Sequence, residues 1–142
     1  MIVLDTNVVS EPLKPRPDPK VLAWLDRQPE GSLFLATTSL AELLLGVELL
    51  PAGRRKKGLA RMLTGAIADL FESRILSFDE RAARNYAHIV AEARTAGKAV
   101  SVFDAQIAAI AAAHAFAVAT RDAAAFETAG VPVVNPWADP VA

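Results

Sequence analysis

Short apolar runs alternate along the chain with longer stretches of helical periodicity. Ile2-Val-Leu4 stops at Asp5. Leu33-Phe-Leu35 and Ile75-Leu76 are equally brief, Phe116-Ala-Val-Ala119 ends at Thr120-Arg-Asp122, and Val131 to Val134 closes the series. Runs this short and apolar throughout read as strands covered on both faces. Between them, Asp18-Pro19 supplies an N-cap and a first-turn proline for a helix with Val21, Leu22 and Leu25 on one face. Further helices are expected at about 39–50, stopped by Pro51, and at about 53–74. Three more follow: Asp79 to about Ala96, closed by Gly97, an alanine-rich helix over 102–115, and a short one before Gly130. Pro12, Pro15, Pro17 and Pro19 mark the segment after the first strand as a loop. The pattern predicts an α/β fold, a short and mainly parallel central β-sheet flanked by α-helices. No repeat, low-complexity linker or shift in composition divides 1–142, which is expected to form a single domain.

Composition narrows the function classes. Hydrophobic residues make up 53% of the 142, and the mean hydropathy is +0.29. That excludes a disordered chain and suggests a covered surface beyond the core, such as a subunit interface. Fifteen Lys and Arg stand against sixteen Asp and Glu, a net charge of −1, so a nucleic-acid partner would need a local basic patch. Without cysteine there is no disulfide, thiolate zinc site or thiol catalysis, in keeping with a reducing cytoplasm. Met1-Ile-Val-Leu meets Asp5 too soon for a secretory signal, and Asp104, Gln106 and His114 interrupt the long apolar stretch from Val102 to Thr120. A soluble, cytoplasmic protein with no membrane span is expected.

Four acids stand out. In a parallel sheet, ligands bind beyond the carboxyl ends of the strands. Asp5 and Asp122 each stand where a strand run stops, and Glu42 and Asp104 lie near the starts of two apolar helices. Each has a structural alternative. Ser39-x-x-Glu42 and Ser101-x-x-Asp104 fit or approach a capping box, as does Ser77-x-x-Glu80, and Asp5 and Asp122 suit N-caps. Taken together, capping is not enough. Glu42 sits among Leu40, Leu43, Leu44 and Leu45, and Asp104 among Val102, Phe103 and Ile107, with no Lys or Arg at helical spacing. Uncompensated buried carboxylates cost several kcal/mol or take up a proton, and gathering them raises the cost. A divalent cation removes both problems. Carboxylate and water oxygens favour Mg²⁺ or Mn²⁺. His88 and His114 lack ligand-spaced partners and read as packing or surface residues.

At these residues the sequence resembles the PIN-domain family, specifically the toxins of Vap-type toxin–antitoxin operons and their trafficking-linked relatives. The resemblance runs through Met1-Ile-Val-Leu-Asp-Thr-Asn7, Thr37-x-Ser-x-Ala-Glu42-Leu-x-x-Gly46, Asp104-Ala-Gln-Ile-Ala-Ala-Ile-Ala, Ala119-Thr-Arg-Asp122-x-x-x-Phe126 and Val133-Val-Asn-Pro-Trp137, covering essentially the whole chain. It implies that Asp5, Glu42, Asp104 and Asp122 are catalytic, that Asp5, Asp104 and Asp122 bind metal, and that Thr6, Asn7 and Thr120 orient them. One departure is Ala125, where many relatives carry a further acid. It bears on a second metal position, not on the first.

The activity so implied is a metal-dependent endoribonuclease, the toxin of a type II pair, hydrolysing phosphodiester bonds with metal-activated water. The resemblance also implies a homodimer, a cognate antitoxin, and DNA contact only through that antitoxin. Arg54, Arg55, Lys56 and Lys57, with Arg61 about two turns on, form the densest basic cluster and a candidate phosphate rail for RNA, or else a solvated helix start. Arg121, beside Asp122, is a candidate for ordering the acids. The leucine-rich 43–50 segment and the 53–74 helix offer a groove to an amphipathic partner, or ordinary core. The competing function is a non-catalytic module of this fold whose acids dock a basic peptide. A haloacid-dehalogenase-type site would need Asp where Asn7 stands, and no glycine-rich phosphate loop is present.

Overall fold

The computed structural model describes residues 1–138. Within them, β1 (Ile2–Leu4), β2 (Leu33–Ala36), β3 (Ile75–Leu76), β4 (Ala117–Ala119) and β5 (Val133–Val134) form one sheet in the order β3-β2-β1-β4-β5. Every pairing is parallel, so the expected sheet is parallel throughout. The helices are α1 (Thr6–Ser10), α2 (Pro19–Arg27), α3 (Thr37–Glu48), α4 (Arg54–Phe71), α5 (Glu80–Thr95), α6 (Val102–His114) and α7 (Ala123–Thr128).

Alternation along the strands divides the core into two. Val3 and Val118 join Ala82, Ile89, Ile107, Ile110 and Phe126, from α5, α6 and α7. Leu4 and Ala119 point the other way and join Val8, Val21, Trp24, Leu43, Leu63 and Phe71, from α1 to α4. Cover on both faces explains why the strands carry no polar alternation. The apolar stretch from Val102 is a helix with seven buried residues that runs on into β4. Among the described residues no helix is long and apolar enough to cross a membrane.

The structure departs from the sequence reading at two helix starts and agrees at the start of α5. The segment after β1 is not an open loop: Asp5 caps α1 at once, and Glu11–Leu13 make a 3-10 turn with Pro12 near its start. The helix expected at 39 begins at Thr37, because β2 runs straight into α3 with Ala36 in the cap position and no side-chain cap bond. Ser39 is therefore a buried residue inside the helix, not a cap. Asp79, not Ser77, caps α5, its carboxylate accepting from the Ala82 N–H at 2.9 Å. Gly97 closes that helix as expected, with φ of 69° and the Lys98 N–H reaching back to the Ala93 carbonyl at 2.8 Å.

Topology positions the site. Leu4 is level with Leu35 on one side and with Ala119 on the other, so β1, β2 and β4 end together. The Asp5 N–H extends this edge, donating to the Ala119 carbonyl at 2.9 Å. From β1 the sheet continues to β2 and β3 in one direction and to β4 and β5 in the other. The crevice of a doubly covered sheet opens at such a switch point.

Candidate active site

Asp5, Glu42, Asp104 and Asp122 line one cavity of about 320 Å³ at this edge, together with Thr6, Asn7 and Ser10. They come from the ends of β1 and β4 and the early turns of α3 and α6. Four acids separated by up to 117 positions in sequence (5 to 122) thus share one small volume.

Capping accounts for some of these acids and fails for others. Asp5 does cap α1, accepting from the Thr6 N–H at 2.8 Å, but its other oxygen accepts from the Thr120 hydroxyl at 2.7 Å. The Asp104 N–H donates to Ser101 Oγ at 3.1 Å, the cap expected there. Glu42 belongs to no capping box; its Oε1 accepts from the Thr6 hydroxyl at 2.9 Å, across 36 residues of sequence. Asp122 precedes α7 without a side-chain cap bond.

The orienting residues are better defined than the sequence allowed. Thr6 serves two acids, Asp5 through its N–H and Glu42 through its hydroxyl. Thr120 is fully buried; its hydroxyl donates to Asp5 and accepts from the Asp122 N–H at 3.0 Å. Asn7 lines the cavity with a buried Oδ1 that has no hydrogen-bond partner. Replacing Thr120 by Val keeps the shape and removes the hydroxyl that bridges β1 to the Asp122 loop. The expected cost is ~1–3 kcal/mol from the stranded polar groups, read as a lower denaturation midpoint. A fall in any metal-dependent activity of about 10–100-fold should accompany it.

Burial marks two of these acids, Asp5 and Asp104. Burial pushes the Asp5 carboxyl above its ordinary value, against the bonds from Thr120 and Thr6, and the charges of Asp104 and Glu42 push further. Burial likewise raises Asp104, opposed by Ser101 and helped by the Asp122 charge. Glu11 provides the contrast. It is also buried, but Lys14 bonds it at 2.7 Å and holds its carboxyl below the ordinary value. Among the described residues none of the four cavity acids has an ion pair. Arg121 does not supply one, contrary to the expectation from its position: its guanidinium lies over the Trp137 ring, 4.3 Å from the centroid.

The donor set suits a hard divalent cation: carboxylate oxygens without a compensating positive charge, and a buried amide oxygen that nothing satisfies. Among the described residues no three Asp, Glu, His or Cys side chains form a preassembled ligand cluster. Like charges sharing a cavity stand apart until a positive charge bridges them. Ala125 does not line the cavity but packs against the core of α6 and α7. His88 is exposed beside Glu92, and His114 stacks on Phe116. Both lie off the cavity lining.

A second cavity, a groove of about 730 Å³, shares Thr6, Ser10 and Glu42 with the acidic one and continues between α3 and α4 past Gly46, Leu50, Leu59 and Met62. Of the basic cluster, only Arg55 lines it; Arg54, Lys56, Lys57 and Arg61 do not. Lys56 instead donates to the Glu48 carbonyl at 3.0 Å. Positive charge in the first turn of α4 therefore answers the C-terminal end of α3 across the turn. Lys14, which the sequence reading did not single out, is the other cation on the groove wall.

Comparison with known proteins agrees with this architecture. The PIN-domain family model matches residues 2–131. The chain belongs to the PIN-domain family. It is 47% identical over 137 residues to the VapC ribonuclease Y4jK of Sinorhizobium fredii, covering 96% of this chain and 98% of that protein. It is 48% identical over 139 residues to the toxin FitB of Neisseria gonorrhoeae, covering 98% and 100%. The structure of FitAB bound to an IR36 DNA fragment contains a chain that superposes with a TM-score of 0.93 at 45% identity, covering 99% of each.

Proposed function

We propose that this protein is a metal-dependent endoribonuclease, the toxin of a type II toxin–antitoxin pair acting in the cytoplasm. The observation that carries the reading is the shared cavity of four acids, none of which has an ion pair among the described residues. The likeness to a VapC ribonuclease and to the FitB toxin over nearly the full chain supports it.

In this reading Asp5, Asp104 and Asp122 hold Mg²⁺ or Mn²⁺. When bound, the cation supplies positive charge to polarise the scissile phosphate and to lower the pKa of water. The protein's own residues do the rest. Glu42, fixed by the Thr6 hydroxyl, takes the proton of the attacking water. Asp5 is locked by Thr6 and Thr120, so its oxygens keep one direction. Thr120 couples it to the turn that carries Asp122. No covalent intermediate is needed.

Arg55 on the groove wall gives RNA phosphates a cation on the way to the acids, beside Lys14, whose charge Glu11 already answers. The apolar remainder of the groove takes a segment of the cognate antitoxin, which carries any DNA contact, and the toxin pairs as a homodimer. The exposed leucines Leu44, Leu45 and Leu49 provide apolar surface for such partners.

Purified, antitoxin-free protein should cut single-stranded RNA with Mg²⁺ or Mn²⁺ and stop when the metal is chelated. A broad transcript pool left intact would instead favour a binding module that docks a basic peptide.

A further inference from the structure

The start of α3 carries three hydroxyl residues in a row, Thr37, Thr38 and Ser39, yet none of them caps the helix, and Ala36 holds the cap position. Hydroxyls at a helix start ordinarily serve its own free N–H groups. Two of these reach outward instead. Thr37 accepts from the Phe78 N–H at 3.3 Å, and Thr38, only 7% exposed, donates to Gln106 Oε1 on α6 at 3.1 Å. The second bond joins the two helices that bring Glu42 and Asp104 to the cavity. Thr38 lies one turn before Glu42, and Gln106 two residues after Asp104. Along the helix axes the bond therefore stands about 6 Å from one acid and about 3 Å from the other.

Asp104 needs such a tie more than the other acids do. Thr6 joins Asp5 to Glu42, and Thr120 joins Asp5 to the turn that carries Asp122. Asp104 bonds to Ser101 at the start of its own helix, so its place among the acids depends on where α6 sits. Apolar packing does not hold α6 to α3 directly. Leu40, Leu43 and Val47 of α3 pack in one core, and Ile107 and Ile110 of α6 pack in the other, across the sheet. Carboxylates crowded without a cation repel one another, and Asp5 already feels the charges of both Asp104 and Glu42. A bond between two neutral side chains holds whatever the charge state of the cavity.

We propose that the Thr38–Gln106 bond braces α6 against α3 and so keeps Asp104 within reach of a cation shared with Asp5 and Asp122. Thr38 and Gln106 are then positioning residues: neither lines the cavity, and both act through the acids on their helices. The inference rests on the metal-dependent reading and deepens it. With the brace in place the cation meets acids already gathered. Without it, part of the binding energy goes to drawing the helices together.

The test is a calorimetric titration of the full, metal-free chain with Mn²⁺, with no RNA present. Thr38→Val keeps the shape and removes the donor, and Gln106→Leu removes the acceptor. Each should weaken Mn²⁺ binding about tenfold, and the double variant should lose no more than either alone, because both remove one bond. Thr38→Ser keeps the hydroxyl and should bind as the wild type does. Asn85→Leu controls for lost stability alone. It removes another bond to α6, from the Asn85 amide to the Ala109 carbonyl at 3.3 Å, and neither residue lines the cavity. That variant should have a lower denaturation midpoint and an intact Mn²⁺ affinity. Unchanged affinity in Gln106→Leu, additive losses in the double variant, or an equal loss in Asn85→Leu overturns the brace. If the wild type binds Mn²⁺ while these results go against Thr38 and Gln106, the brace falls alone. If the wild type binds no Mn²⁺, the metal-dependent reading falls with it.

Discussion

Asp104→Ala should remove RNA cleavage while leaving the protein folded, and Asp104→Asn should make the metal-free protein more stable than the wild type. The first effect follows from the loss of a carboxylate that holds the cation, worth several kcal/mol of transition-state stabilisation, or on the order of a thousandfold in rate. The second follows from charge. Asp104 titrates above its ordinary 3.8 in the folded protein because it is partly buried and faces Asp122. The native state therefore holds that proton more tightly than the unfolded chain. Stability falls as pH rises from the unfolded value through the folded one, and the whole penalty is present at neutral pH. Asparagine carries no such charge. The difference in melting temperature between Asp104→Asn and wild type should thus be smallest below pH 4 and largest near neutrality. Mg²⁺ should raise the wild-type melting temperature and move the variant less. A metal-induced shift of the same size in both would remove Asp104 from the ligand set.

The second large effect concerns the groove. Met62 lies on its wall with 49% of its surface exposed, and no acid of the cavity touches it in sequence or on its helix. Met62→Glu places a charge where an apolar side chain of the antitoxin would be buried. The affinity of the antitoxin should fall on the order of thirtyfold or more, the scale of a central interface residue. RNA cleavage by the free toxin should fall much less, through repulsion of RNA along the groove beside Arg55, since the substitution leaves the cavity lining intact. The measurement is a titration of cleavage with antitoxin. Unchanged inhibition by the same antitoxin concentration would mean that neutralisation uses another surface.

The parts legible in the sequence were those that local pattern fixes alone. Ile2-Val-Leu4 cannot be anything but a covered strand once Asp5 ends it, and the alanine-rich stretch from Val102 has helical length and a serine cap. The other strands were legible to within a few residues for the same reason. α1 was not, because five residues make too little of a helical period to show against the prolines that follow. The start of α3 was misplaced because Ser39 carries the chemistry of a cap, yet packing buried it inside the helix.

Convergence of the four acids was inferable from strand ends and from the want of nearby cations. The resemblance named Thr6 and Thr120 as orienting residues, but not which acid each serves, since the pairs are distant in sequence: Thr6 for Glu42, Thr120 for Asp5. Arg121 shows the limit of adjacency. Its place beside Asp122 suggested a role among the acids, and the Trp137 ring holds it elsewhere. Lys56 shows the same in reverse, because the carbonyl it serves belongs to the preceding helix. Glu11 and Lys14 form a buried acid with its cation that no pattern announced, and their pairing is what the cavity acids lack.

Anomalous scattering from crystals grown with Mn²⁺ would locate a bound cation without reference to activity. A peak is expected in the cavity near the carboxylates of Asp5, Asp104 and Asp122, and it should be lost in Asp104→Asn. A cavity with no peak at saturating Mn²⁺, its acids paired with lysine or arginine or turned apart to solvent, would contradict the reading of these acids as a metal site.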